Sequence, residues 1–243
     1  MRIDIYFSNS CDSSTILQPG TIISLSSIHT REEFACAIDS RTLKDDRTLD
    51  DVLIAARACR VCEAALPYGP RPVLQAGETA RILIVGQAPG ARVHATGIPW
   101  DDPSGDRLRR WMGIDANVFY DRSRVAIIPM GFCYPGRGKG GDAPPRPECA
   151  PLWHDELLSR MPLLQLKLLV GLYSQRRYLR KRCKPTLSET VEAWREYAPA
   201  FIPLPHPSPR NQPWFVRHPW FEEELSPALR RRVRSILEKP RSF

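Results

Sequence analysis

Long apolar runs are missing from this 243-residue chain. None approaches the roughly 20 residues that a bilayer-spanning helix needs, so no membrane association through helices is expected. The N-terminus lacks a basic stretch followed by an apolar one, and Thr21–Ile28 is too short and too serine-rich for a secretory signal. A cytoplasmic location is the default expectation. The GxxxxGK[ST] spacing is absent, which removes the phosphate-loop nucleotide binders. Nothing like a heptad seam or a swap hinge is present, so a monomer is expected. Acidic charge is also short, since 35 Lys and Arg against 27 Asp and Glu leave a net +8. The first 50 residues hold five basic and eight acidic side chains, so the remainder carries +11. A compact basic domain attracts phosphate polyanions, either nucleic acid or an anionic membrane surface. The same excess also serves as ordinary solubilising charge.

Cysteine, by contrast, is plentiful: residues 11, 36, 59, 62, 133, 149 and 183. In a cytoplasmic setting these are metal ligands more readily than disulfides. Cys59-Arg-Val-Cys62 has the C-x2-C spacing that lets two thiolates reach one metal centre. Cys133 and Cys149, with fifteen residues between them, form a second, looser pair. Four thiolates suit zinc or a [4Fe–4S] cluster, and spacing alone does not separate the two. Buried free thiols acting as small apolar groups are the plain alternative. Cys11, Cys36 and Cys183 fit no ligand pattern.

Residues 1–41 are serine-rich and without periodicity, and are expected to be a poorly ordered extension. Residues 42–243 are expected to form a single domain. A helix is predicted from about Leu43 to Arg60, with Leu49, Val52, Leu53 and Ala56 on one face. Four short apolar runs read as buried strands: Arg81–Gly86, Val125–Pro129, Leu166–Gly171 and Ala200–Leu204. Helical stretches lie near Gly105–Met112, Cys149–Arg160, Tyr173–Arg180, Ser188–Tyr197 and Phe221–Leu237. Strands alternating with helices predict an α/β fold, a mainly parallel four-stranded sheet covered on both faces. Ligands bind beyond the carboxyl ends of such strands. The chemistry is therefore expected in Gly86–Asp106, Gly131–Glu148 and Pro205–Asn211.

Gly86-Gln-Ala-Pro-Gly90 follows the first strand, with glycines that let the backbone approach a ligand and Pro89 fixing the turn. Gly97–Asp106 places Trp100 beside three carboxylates, Asp101, Asp102 and Asp106. An indole offers a stacking face for a planar base, and a carboxylate positions water or stabilises a developing cation. Asp-Asp-Pro-Ser-Gly is equally good helix-capping chemistry, with Asp102 or Ser104 as the cap. His206-Pro-Ser-Pro-Arg-Asn211 follows the last strand, and its prolines hold the His206 and Ser208 side chains in fixed directions. A fixed imidazole N–H neutralises oxyanion charge on a leaving group, and a hydroxyl binds phosphate. A rigid turn with a surface histidine is the alternative.

Gly86–Gly90 and His206–Asn211, in this order, resemble the first and second motifs of the uracil-DNA glycosylase superfamily. The four cysteines 59, 62, 133 and 149 resemble the cluster ligands of its iron–sulfur branch. The resemblance covers roughly residues 50–237. It implies a three-layer αβα sandwich that flips uracil, or another deaminated base, out of DNA and hydrolyses its N-glycosidic bond. It implies a base pocket lined by Gly86, Gln87, Ala88, Pro89 and Gly90, with Trp100 stacking on the base. His206 would bond the O2 of the departing uracil anion, Ser208 would hold a phosphate, and Arg210 beside Asn211 would fill the gap in the duplex. It also implies a structural [4Fe–4S] cluster, with zinc the lesser alternative.

Two departures stand out. Ala88 and Gln87 occupy the positions where superfamily members carry a catalytic Asp or Glu, which directs the catalytic role to Asp102, with Asp101 second. Ile128-Pro129-Met130 replaces the asparagine that reads uracil's edge, leaving Gln87, His94 or backbone groups for that task. The leading expectation is a monofunctional glycosylase acting on uracil-containing DNA. The rivals are a catalytically weak or inactive uracil-DNA binding protein, and an α/β metalloprotein without a DNA role. Arg137, Lys139, Arg210, Arg217 and the Arg230–Arg234 run are candidates for phosphate contact, although the run is equally a solvated helix face.

Overall fold

The computed structural model describes residues 47–238. The predicted N-terminal extension therefore lies outside the described residues. The first helix, α1 (Leu49–Arg57), opens with a reciprocal cap. The Thr48 hydroxyl accepts from the Asp51 N–H at 3.2 Å, and the Asp51 carboxylate accepts from the Thr48 N–H at 2.8 Å. Its buried face is Leu49, Val52, Leu53 and Ala56, the predicted stripe.

Four strands form one sheet: β1 (Ile82–Val85), β2 (Val125–Ile127), β5 (Leu166–Val170) and β6 (Phe201–Leu204). Their order is β2-β1-β5-β6, and each neighbouring pair is parallel. A separate hairpin pairs β3 (Arg137–Gly138) with β4 (Gly141–Asp142) in antiparallel register. Pro203 lies within β6, the edge strand, where a missing N–H breaks no interior ladder.

Alternation along the strands divides the apolar residues between two cores. Ile82 and Ile84 point into one, with Leu108, Trp111, Phe119, Phe221, Leu229 and Val233. Leu83 and Val85 point into the other, with Leu53, Phe132, Trp153, Leu157 and Leu179. Successive strand residues face opposite sides, so a sheet buried on both faces needs apolar residues at every position. All four residues of β1 are buried. Helices α3 (Pro103–Met112), α4 (Ala116–Tyr120), α7 (Leu187–Glu192), α8 (Gln212–Arg217) and α9 (Ser226–Glu238) contribute to the first core. Helices α1, α5 (Cys149–Ser159) and α6 (Leu172–Leu179) contribute to the second. The expected αβα sandwich is the observed fold.

Some element bounds differ from the expectation. The predicted helix over Ser188–Tyr197 closes at Glu192 and gives way to a single 3-10 turn at Trp194–Glu196. The last predicted helix begins as a π turn, Phe221–Leu225, before α9 proper. Short helices at Ala91–Thr96 (α2) and at α4 and α8, and the β3–β4 hairpin, have too few residues to carry a periodic signal. No helix among the described residues is long and apolar enough to cross a membrane.

The chain leaves β1 for β2 on one side and then crosses to β5 on the other. That makes the carboxyl end of β1 a topological switch point, where open α/β sheets leave a crevice. Gly86–Gly90 begins at that end.

Candidate active site

A cavity of about 620 Å³ opens at this switch point, within the roughly 300–1,000 Å³ range of small-molecule clefts. Gly86, Gln87, Ala88, Pro89, Gly90, Trp100, Asp102, His206, Ser208 and Arg210 all line it. Residues more than a hundred positions apart thus share one cavity. Three other proposed site residues, Asp101, His94 and Asn211, are not among its lining. Asp101 is 3.7 Å from the Arg92 guanidinium in an exposed pair. His94 packs its ring against Tyr68 and Tyr134. Asn211 donates from Nδ2 to the His206 carbonyl at 2.8 Å.

Trp100 is held by its glycine neighbours. Its backbone is left-handed, with φ 56°, a conformation costly for a non-glycine residue. A Cβ added to Gly105 would run into the Trp100 carbonyl, and one on Gly86 would stand 2.9 Å from the indole Cζ2. Both positions therefore need glycine for the indole to lie against the end of β1. The Trp100 and His206 rings are 5.6 Å apart and tilted by 31°. Asp102 caps α3, its Oδ1 accepting from the Gly105 N–H at 2.8 Å, with Pro103 as the first helical residue. The capping and cavity-lining readings of Asp102 both hold, since one carboxylate oxygen serves the cap.

His206 sits where β6 ends. Burial holds its imidazole below the ordinary value, while the charges of Asp102 and Asp142 act to raise it. The ring is therefore neutral at neutral pH. Nδ1 accepts the Ser208 N–H at 3.2 Å, which leaves the proton on Nε2 as a hydrogen-bond donor. The Ser208 hydroxyl accepts from the Arg210 N–H at 3.2 Å and so closes the turn.

The β3–β4 hairpin adds Arg137, Gly138, Gly140, Gly141 and Asp142 to the lining. Gln87 donates from Nε2 to the Ala143 carbonyl at 3.0 Å, tying the first motif to the hairpin's end. The Met130 and Gly131 N–H groups donate to the Gly86 and Gln87 carbonyls, both at 2.9 Å. Pro129 lines the cavity, and its carbonyl accepts from His154 Nε2 at 2.9 Å. Sequence reasoning placed Gly131–Glu148 at the rim but did not single out Asp142. The Gly-Lys-Gly-Gly run before it was the available turn signal.

Cys59, Cys62, Cys133 and Cys149 line one small recess, together with Leu66, Phe132 and Arg146. Burial pushes the Cys149 thiol up to about 12, and the other three cysteines add to the rise. Burial also raises Cys133, with Cys59 and Cys62 contributing. Among the described residues, no group of three or more His, Cys, Asp or Glu side chains is placed to hold a metal ion.

The family model of the uracil DNA glycosylase superfamily matches residues 74–230. The chain belongs to this superfamily. The match takes in Gly86–Gly90, Trp100, the hairpin and His206–Asn211, and with them the whole lining of the cavity except Val73. It also covers the four-stranded parallel sheet, from β1 to β6. In this uracil DNA glycosylase superfamily member, the cavity at the carboxyl end of β1 therefore lies within the matched domain. Cys133 and Cys149 fall inside the match, whereas Cys59 and Cys62 precede it.

Proposed function

We propose that this chain is a monofunctional glycosylase that flips uracil out of DNA and hydrolyses its N-glycosidic bond. One observation carries the reading: an indole, a carboxylate and a neutral imidazole, from Trp100, Asp102 and His206, line a single cavity. The indole supplies a stacking face worth about 1–3 kcal/mol per base, comparable to the few kcal/mol that extrusion costs. Cleavage places positive charge on the sugar and negative charge on the base. Asp102 stabilises the first by Coulombic attraction. His206 stabilises the second by donating its Nε2–H to O2 of the departing base. A neutral donor suits this role, because burial keeps the imidazole from charging before the base does. With its amide nitrogen tied to the Ala143 carbonyl, Gln87 offers its side-chain oxygen, beside the backbone of 86–90, to the base edge. Ser208, Arg210, Arg137 and Lys139 bind the flanking phosphates.

Cys59, Cys62, Cys133 and Cys149 would hold a [4Fe–4S] cluster. Their shared recess supports it. The cluster would be structural, tying the segment after α1 to the loop before α5, and would supply no step of the reaction.

The test is incubation with a panel of lesion-bearing oligonucleotides, single- and double-stranded, followed by alkali. Strand breakage at uracil is expected. Retention of uracil-containing DNA without breakage would instead identify a damage-binding protein, the reading favoured by the missing carboxylate at Gln87 and Ala88.

A further inference from the structure

The first motif offers no acid for the attacking water. Ala88 has no functional side chain, and the Gln87 amide is tied to the Ala143 carbonyl. Asp101 turns to Arg92. Asp102 carries the cap of α3 on one oxygen. The cavity nonetheless has a second carboxylate among its lining residues.

Asp142 ends the β3–β4 hairpin and lines the cavity beside Gly90, Gly141 and Arg137. Its Oδ2 stands 3.5 Å from where a Cβ on Gly90 would be, so it lies directly against the first motif. Among the described residues, no hydrogen-bond or ion-pair partner engages this carboxylate. Its position is nevertheless fixed. The hairpin pairs Arg137 with Asp142, the Ala143 N–H donates to the Gly136 carbonyl at 2.9 Å, and Gln87 holds the Ala143 carbonyl at 3.0 Å. A charged group held on both sides of its own backbone, with its oxygens free and directed at a cavity, is pre-organised for chemistry. The field of Asp142 also reaches the His206 ring, alongside that of Asp102.

We propose that Asp142 is a catalytic residue, the general base that takes the proton of the attacking water. The proposal rests on the glycosylase reading above. In that step the water oxygen bonds to C1′ of the deoxyribose as the C1′–N1 bond breaks, and the bonding pair leaves on the base. The water proton passes to the Asp142 carboxylate and from there to solvent. The base departs as an anion against His206 Nε2–H and is protonated by solvent afterwards. The two carboxylates then divide the labour. Asp102 is a fixed charge near the sugar, and Asp142 is the proton acceptor beside Gly90.

The test is single-turnover excision of uracil by wild type, Asp142→Asn, Asp142→Glu and Asp102→Asn across pH, with DNA affinity and melting temperature measured in parallel. Asp142→Asn should slow excision on the order of 10²–10⁴-fold, leave DNA affinity and melting temperature unchanged, and abolish the acid limb of the rate profile. Asp142→Glu should restore part of the rate together with that limb. Asp102→Asn should be slow yet keep the limb. An Asp142→Asn variant within twofold of wild type, or one that is slow but retains the acid limb, overturns the assignment while leaving the glycosylase reading standing. A wild-type protein that excises nothing overturns both.

Discussion

Trp100 concentrates the local strain of the site. Its left-handed backbone is enforced by Gly105 and its ring by Gly86, so three residues far from any repeat act as one unit. Alanine at Gly105 has nowhere to place its methyl group. The expected outcome is a loss of about 1–3 kcal/mol in stability, measured by denaturant unfolding, together with lost base binding. Trp100→Ala is expected to keep the fold and to weaken uracil-DNA binding by about 1–3 kcal/mol, roughly 5- to 150-fold. Equal affinity of the two proteins in a titration with a uracil-containing oligonucleotide would count against the stacking role. Trp100, Asp102 and His206 were legible in the sequence because each sits in a short motif of glycine, proline and polar residues at a strand end. Asp142 was not, since its neighbours are glycines and prolines without strand alternation. Only the folding of residues 131–148 across the first motif gives it a partner wall.

Among elements, the sheet was the most legible, because parallel strands covered on both faces must be apolar throughout. What joins its rim to the helices was not. His154 of α5 is fully buried and donates from Nε2 to the Pro129 carbonyl at the end of β2. Its Nδ1 accepts the Tyr178 hydroxyl of α6 at 2.8 Å. Three segments are thus pinned by one ring, and in the sequence His154 looks like any histidine of a helix. Burial lowers this imidazole from 6.5 to about 4. The unfolded chain takes up a proton near 6.5 that the folded protein refuses until about 4. Stability is therefore full above the higher value and falls as pH drops between the two, by up to about 3 kcal/mol. Urea unfolding at pH 7 and pH 4.5 should register this fall, and a His154→Gln variant should show a smaller one. An identical pH response in the variant would place the proton uptake elsewhere.

At the scale of the whole molecule, the proposed DNA binding draws on the excess of basic side chains. The proposed phosphate contacts of Arg137, Lys139 and Arg210 predict that affinity drops steeply between roughly 50 and 200 mM salt, and a flat response in a filter-binding titration would contradict them. Protein purified without oxygen is expected to be brown, with about four irons per chain, and Cys149→Ser should lose both colour and thermal stability. Colourless wild-type protein with one zinc per chain would reverse the metal assignment. The superfamily was legible from the resemblance of two loops, whereas the shared cavity required the fold. The most direct test of the central claim is to quantify free base released from a uracil-containing duplex in a single turnover. The wild-type protein should liberate one equivalent of uracil per site, and His206→Ala should liberate it at least about 100-fold more slowly. Full occupancy of the duplex with no free uracil released would contradict the account.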